Sequence, residues 1–171
     1  LAFQIGNEVS FREISNTLNV SIQTVQKYIS LLEQNYIIFR VGAYSTNQRR
    51  EVVKTKKIYF IDLGVRNVLV GNLKPINTED RNDVGMLFEN CMFVERLKYL
   101  TEEGKTNFQQ FFWRTTNQQE IDYIENNKGK IEAFEFKLDK NKKTNKTIFN
   151  KFYKDIKVKI ISPKEAFDFI K

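Results

Sequence analysis

The sequence contains no histidine, and its 171 residues include a single cysteine, Cys91. A nucleophile activated by an imidazole base and a zinc site built from His and Cys are therefore all but excluded. One cysteine cannot form a disulfide within the chain, which is consistent with a reducing cytoplasm. Any metal chemistry must use oxygen ligands, and oxygen ligands favour Mg²⁺ or Mn²⁺.

Long apolar runs are also missing from the chain. The mean hydropathy is −0.48, and no segment is apolar for long enough to predict a membrane span. Residues 1–9 have neither the basic start nor the apolar stretch of a signal peptide. We therefore expect a cytoplasmic protein with no membrane partner. The chain begins with Leu inside an apparent helix, which indicates a part of a longer protein.

Positive charge is present in excess. There are 28 Lys and Arg residues against 21 Asp and Glu, which gives a formal net charge of +7. A basic protein of this kind is a candidate for nucleic-acid binding, because phosphates attract clustered lysines and arginines. A Lys- and Asn-rich composition can equally reflect the codon usage of the source. Charge alone therefore leaves both interpretations open.

The first sixty residues predict two short helices followed by a hairpin. Ser10 and Glu13 form a capping box at the start of the first helix, and Ser21 caps a second helix that runs to about Asn35. Strands are predicted at about 36–41 and 57–61, with a basic loop between them. This order resembles a winged helix. It predicts DNA contacts from two groups of residues: Gln23, Thr24 and Lys27 on the second helix, and Arg49, Arg50, Lys54 and Lys56 in the wing. Winged helices also serve as protein–protein or interdomain modules, which is the alternative.

The second half of the chain has an α/β pattern. A short helix and a polar segment at 63–83 form the predicted connection. Residues 84–103 form an amphipathic helix, and three strands, a helix, a strand and a closing helix follow it. We therefore predict a winged-helix domain at 1–62 and a domain with a mixed central sheet flanked by helices at 84–171.

The three-stranded part of this pattern contains the candidate catalytic residues. Side chains alternate along a strand, so Glu120 and Asp122 are predicted to share one face, opposite Ile121 and Tyr123. By the same rule Glu135 and Lys137 share a face of the next strand. Two carboxylates and an ammonium on paired strands are the groups that Mg²⁺-dependent phosphodiester cleavage requires. A half-buried sheet with a charged outer face would show the same pattern.

Five motifs in order carry a resemblance that covers nearly the whole chain. The sequence resembles the C-terminal half of a family of AAA-type ATPases from bacteria and archaea, in which a winged helix and a restriction-endonuclease-like domain of unknown function follow the ATPase module. The motifs are Lys57–Gly64, Gly85–Asn90, Phe112–Arg114, Glu120–Ile124 and Glu135–Lys137. The sequence has no phosphate-binding Gly-Lys-Ser/Thr loop, so ATP is expected only in a module absent from this chain.

The resemblance implies a PD-(D/E)XK nuclease-like fold and assigns roles to four residues. Asp122 and Glu135 would hold the metal ion, Lys137 would orient or activate the attacking water, and Glu89 would assist at the metal. DNA and the ATPase module of the full-length protein are the implied partners. The Pro-Asp that often opens the aspartate motif is missing here, since Glu120-Ile121 precedes Asp122.

A catalytically inactive interaction or regulatory domain is therefore the alternative function, because a fold does not fix an activity. It would contact the ATPase module or a protein partner, and it predicts an exposed apolar patch near Phe11, Tyr44 or Phe167. Two local questions also stay open. Arg114 could bind phosphate or pair with Glu120. The lysines of the segment after the last sheet motif could follow a nucleic-acid backbone or be solvated: Lys140, Lys142, Lys143 and Lys146.

Overall fold

A computed structural model of the chain describes residues 1–45, 56–115, 117, 119–141 and 147–171. These residues form a mixed α/β structure with one seven-stranded sheet and six α-helices. The strands are β1 (Glu8–Val9), β2 (Ile38–Ala43), β3 (Lys56–Phe60), β4 (Phe108–Arg114), β5 (Glu120–Asn127), β6 (Lys130–Phe136) and β7 (Val158–Ile161). The helices are α1 (Phe11–Leu18), α2 (Ile22–Gln34), α3 (Leu63–Leu69), α4 (Val84–Glu102), α5 (Thr147–Phe152) and α6 (Ala166–Phe169).

The first helices begin where the sequence predicts, at side-chain caps. The Ser10 hydroxyl accepts a hydrogen bond from the Glu13 amide at 3.3 Å, and the Ser21 hydroxyl accepts one from the Thr24 amide at 3.0 Å. Asn19 ends α1 in the left-handed conformation, with φ of 52°, which asparagine tolerates better than most residues. Each cap satisfies an amide that the first turn of a helix leaves without an intrahelical partner.

One sheet joins the two halves of the chain. The strand order is β1-β3-β2-β4-β5-β6-β7, and β2 pairs with β4 in parallel through Gly42–Phe111 and Ala43–Phe112. The N-terminal hairpin of β2 and β3 therefore continues into the three-stranded meander of β4, β5 and β6. The ranges 1–62 and 84–171, predicted as separate domains, are connected by backbone hydrogen bonds within this sheet.

The sheet separates apolar clusters. Tyr59, Phe93, Phe112 and Tyr123 belong to a cluster beneath α4, which we call the aromatic cluster. A second cluster contains Trp113 and Ile121 and packs against α5, and a third joins the N-terminal helices to β2 and β3. Trp113 is only 7% exposed, so it is a core residue and does not offer a stacking surface for bases.

Two polar anchors hold α4 against the sheet. The Asn90 side chain is fully buried and bonds both backbone groups of Phe60, accepting from its N–H at 2.9 Å and donating to its carbonyl at 2.7 Å. Six residues further along α4, Arg96 donates hydrogen bonds to the Glu125 carboxylate at 2.8 Å and to the Phe169 carbonyl at 2.7 Å. These anchors fix the rotation of α4 and therefore the position of Glu89.

The segment predicted as a connection is tied to the fold near its end. Arg66 on α3 and Arg81 both bond Asp83, and all three residues are buried. Arg66 also donates to the Ala2 carbonyl at 2.9 Å, so the network reaches the start of the chain. In the described ranges of the chain, no helix has the length and apolar character that crossing a membrane requires.

Candidate catalytic cluster

A tight hairpin places the candidate acidic residues on neighbouring strands. Strands β5 and β6 pair antiparallel up to Asn127–Lys130, and the connecting residues Lys128 and Gly129 have φ of 53° and 88°. Positive φ at both central positions is typical of the type I′ turn, whose twist matches that of the strands. The Gly129 amide also donates to the Asn126 side chain at 2.9 Å. The residues Asn-Asn-Lys-Gly at 126–129, whose composition predicts a turn, form one here.

A bulge changes the alternation on β5. The register of β4 and β5 shifts between Phe111 and Trp113, so that Phe111 pairs with Ile124 and Trp113 with Ile121. Ile121 and Ile124 consequently pack in the same cluster, while Tyr123 belongs to the aromatic cluster on the other face. The prediction that Ile121 and Tyr123 share a face is therefore wrong. Simple alternation fails here because a bulge sets two residues of one strand opposite one of the next.

Asp122 lies at this bulge and bonds β6 through its side chain. The regular pairs of β5 and β6 end at Tyr123–Phe134, and the Asp122 Oδ2 atom accepts a hydrogen bond from the Phe136 amide at 2.8 Å. This bond uses an amide that the ladder leaves free and holds the carboxylate beside Glu135. The local geometry therefore brings the two predicted metal ligands together.

Lys137 contacts both of these carboxylates. Its Nζ atom lies 2.8 Å from Glu135 Oε2 and 3.6 Å from Asp122 Oδ2. Burial, and next the charge of Asp122, raises the pKa of Glu135 to about 7. Burial opposes the charge of Lys137, but the two carboxylates outweigh it and raise the pKa of that ammonium. Lys137 is therefore a cation in the cluster rather than a free base.

Glu89 reaches the same cluster from α4. Its Oε1 atom accepts hydrogen bonds from Tyr59 at 2.6 Å and from Lys57 at 3.0 Å. Burial raises the pKa of Glu89, the charge of Lys57 opposes this effect, and the charge of Asp122 adds to it. Glu89 therefore contacts Lys57 and Tyr59 directly and interacts with Asp122 only through charge. Direct contacts join three of the four predicted residues: Asp122, Glu135 and Lys137.

Three further members of the cluster were not assigned to it from the sequence: Lys57, Tyr59 and Glu120. Lys57 forms ion pairs with Glu89 and Glu120, and its side chain is only 3% exposed. The available signal was the alternation of β3, which puts Lys57 on the face of the buried Tyr59. A lysine on an aromatic face needs a buried acidic partner. Arg114 lies 3.9 Å from Glu120 and 3.9 Å from Glu8, so it is near the pairing partner that the sequence offered.

Carboxylates outnumber ammonium groups in the cluster. Four carboxylates, those of Glu89, Glu120, Asp122 and Glu135, are in contact with two ammonium groups, those of Lys57 and Lys137. Within the described ranges, no group of three or more Asp, Glu, Cys or His side chains is arranged to hold a metal ion by itself. Asp122 and Glu135 share the Lys137 ammonium.

The predicted nucleic-acid residues are divided between described and undescribed parts of the chain. Gln23 and Lys27 are exposed on α2, and Lys56 is exposed at the start of β3. Thr24 is half-buried, and its hydroxyl lies 2.9 Å from that of Ser21 in the helix cap. The other residues predicted to contact DNA lie outside the described residues. They are Arg49, Arg50 and Lys54 of the wing and Lys142, Lys143 and Lys146 of the lysine-rich segment after Lys137.

An apolar groove lies beside α2. Its volume is about 490 Å³, and its lining includes the exposed side chains of Phe3, Leu18 and Tyr28. The exposed apolar patch was predicted near Phe11, Tyr44 or Phe167. Phe167 is 61% exposed, whereas Phe11 and Tyr44 are partly buried against neighbouring clusters. Exposed apolar side chains therefore also line a groove beside the N-terminal helices, away from the three predicted positions.

Comparison with known proteins divides the chain into two family matches. Residues 1–76 match the model of a domain of unknown function, DUF8612, and residues 84–167 match that of another, DUF4143. An uncharacterized protein of Haemophilus influenzae is 27% identical over 132 residues, which is 73% of this chain. The chain spans only 31% of the length of that relative. No solved structure matches the chain.

Proposed function

We propose that this chain is the DNA-binding, nuclease-like portion of an AAA-type ATPase, and that the cluster around Asp122 and Glu135 cleaves phosphodiester bonds with Mg²⁺ or Mn²⁺. The observation that carries the proposal is the contact of the Lys137 ammonium with the carboxylates of Asp122 and Glu135, which β5 and β6 bring together. The DUF4143 match supports the ATPase connection, since this domain is typically found in proteins associated with AAA ATPases.

Two carboxylates of the cluster offer oxygen ligands to a divalent cation. Asp122 and Glu135 would hold it, because both lie against the Lys137 ammonium and a bound cation would favour the ionised form of Glu135. Mg²⁺ is often bound through only one or two carboxylates, with water and substrate phosphate as its other ligands. When bound, such an ion lowers the pKa of coordinated water and neutralises charge on the phosphate.

The protein groups around this pair have distinct roles in the proposal. The Lys137 ammonium is 28% exposed and paired with Glu135, so it is positioned to stabilise negative charge that develops on a phosphate at the cluster. Glu89 would assist from α4 through its charge, because Lys57 and Tyr59 hold its carboxylate in place.

DNA would reach the protein through the N-terminal region, which we propose is a winged helix. In support, α1 and α2 precede a hairpin, and the short β1 pairs with its second strand. Gln23 and Lys27 occupy the exposed face of α2, where a recognition helix would contact base edges and phosphates.

The cleavage test compares the protein with its Asp122→Asn variant on plasmid and on single-stranded DNA. We expect Mn²⁺- or Mg²⁺-dependent cleavage that EDTA abolishes, and a loss of about 100-fold or more in the variant, as for removal of a group that stabilises the transition state. Asp139→Asn is the matched control, because Asp139 is an exposed carboxylate shortly after Lys137. Absence of Mn²⁺ binding by calorimetry, with equal DNA cleavage by protein and variant, would refute the proposal.

A second candidate function is a catalytically inactive interaction or regulatory domain, and the apolar groove beside α2 favours it. Exposed apolar surface of this kind marks contact sites for other proteins or domains. In this case Tyr28→Asp abolishes co-purification with the ATPase module of the full-length protein, while Lys27→Glu leaves DNA affinity unchanged. If Lys27→Glu weakens DNA binding in a salt-dependent way, the first function is favoured.

A further inference from the structure

Lys57 brings a positive charge into the carboxylate cluster from the N-terminal half of the chain. It lies on β3, within the residues matched by the first family model, whereas the carboxylates belong to the second. Its side chain is 3% exposed, and its Nζ atom lies 5.2 Å from the centre of the Phe112 ring. Burying a lysine this completely is costly unless carboxylates surround the ammonium group.

Two carboxylates surround the Lys57 ammonium, one from a helix and one from a strand. The Lys57 ammonium lies 3.0 Å from Glu89 Oε1 on α4 and forms a second ion pair with Glu120 on β5. It therefore bridges two carboxylates that would otherwise repel each other. A divalent cation bound by the same two carboxylates would occupy the place of this ammonium group.

One oxygen of Glu89, Oε1, accepts two hydrogen bonds. The Lys57 ammonium donates to it at 3.0 Å, and Tyr59, which is fully buried in the aromatic cluster, donates to it at 2.6 Å. This oxygen is therefore bound to Lys57 and Tyr59 rather than directed toward an ion held by Asp122 and Glu135.

We propose that the Lys57 ammonium is a built-in cation that occupies the position between Glu89 and Glu120, and that it limits the cluster to one divalent ion, at Asp122 and Glu135. Lys57 is in this sense a positioning residue. The part of the inference that concerns the first ion rests on the proposed function. The part that concerns Glu89 and Glu120 rests on the observed ion pairs alone.

The test counts Mn²⁺ ions bound by the full chain and by its Lys57→Met variant, using isothermal titration calorimetry and electron paramagnetic resonance. Methionine retains most of the apolar stem of lysine and removes its charge. Lys57→Gln is measured in parallel, because its amide can still donate to both carboxylates if the methionine variant fails to fold. Lys159→Met is the matched control, since Lys159 forms a 2.8 Å ion pair with Glu132 outside the cluster. Circular dichroism shows which variants are folded.

We expect one ion in the unmodified chain and in the Lys159 control, and two ions in the folded Lys57 variant. Dipolar broadening of the Mn²⁺ spectrum would show that the two ions are close together. One ion in the Lys57 variant overturns the inference, and so do two ions in the unmodified chain. If the unmodified chain binds no ion, the proposed metal site at Asp122 and Glu135 fails. In that case one ion bound by the folded Lys57 variant supports the inference about Lys57, and no ion bound by it overturns that inference.

Discussion

Replacing Asn90 by alanine should destabilise the protein strongly. The Asn90 side chain is fully buried and is hydrogen-bonded to both the N–H and the carbonyl of Phe60, which is itself 3% exposed. The change leaves two buried backbone groups without a partner. Each such group costs about 1–3 kcal/mol, so we expect the free energy of unfolding to fall by about 2–6 kcal/mol.

Urea unfolding followed by circular dichroism measures this effect, with the transition midpoint and its slope compared between protein and variant. Asn16→Ala is the matched control, because Asn16 is exposed on α1 and its replacement should change stability by less than about 0.5 kcal/mol. If Asn90→Ala costs no more than this control, the side chain does not anchor α4 to β3. The position of Glu89 would then have to depend on other contacts of α4.

Two further predictions concern the core and its ion network. Phe93 is fully buried, and the centre of its ring lies 4.3 Å from that of Tyr59 and 4.7 Å from that of Tyr123. Phe93→Ala should therefore lower the free energy of unfolding, measured in urea, by about 3–5 kcal/mol. An effect close to that of Phe152→Ala, the control at an exposed position, would contradict this prediction. Burial acts to raise the pKa of Asp83, but hydrogen bonds from two arginines lower it below the usual value. The stability that the ionised carboxylate contributes is therefore complete above its pKa in the unfolded state, and it is lost as the pH falls through its pKa in the folded state. Between pH 6 and pH 2 the melting temperature should fall less in Asp83→Asn than in the unmodified protein; an equal fall in both would contradict the assignment.

The local structure could be predicted from the sequence because it depends on neighbours in the chain. The Ser10 and Ser21 caps, the turn at 126–129 and the strand Phe108–Arg114 are each specified by a few adjacent residues. The convergence of Glu89 with the strand residues was predicted through the family resemblance, since nothing near Glu89 in the sequence indicates which element α4 contacts.

The bulge at Asp122 and the parallel pairing of β2 with β4 could not be predicted in this way. A bulge leaves no mark in the residue pattern of β5, because Ile121, Tyr123 and Ile124 are apolar and suit either face. The pairing of Gly42 with Phe111 joins residues far apart in the chain, which no local periodicity reports. The role of Lys57 was missed for the same reason, since its partners lie on α4 and β5.

Strand β3 makes the cluster dependent on both halves of the chain. Alternate residues of this strand contact different partners: Ile58 packs with Val25 and Ile29 of α2, whereas Lys57 and Tyr59 bond Glu89. Without β3, residues 84–171 would lose both groups that hold the Glu89 carboxylate, together with the Tyr59 ring of the aromatic cluster. The hydrogen-bonded pairing of β2 with β4 places β3 in the register that brings Lys57 to Glu89. The arrangement of charges around Glu89 therefore depends on residues from the regions matched by both family models.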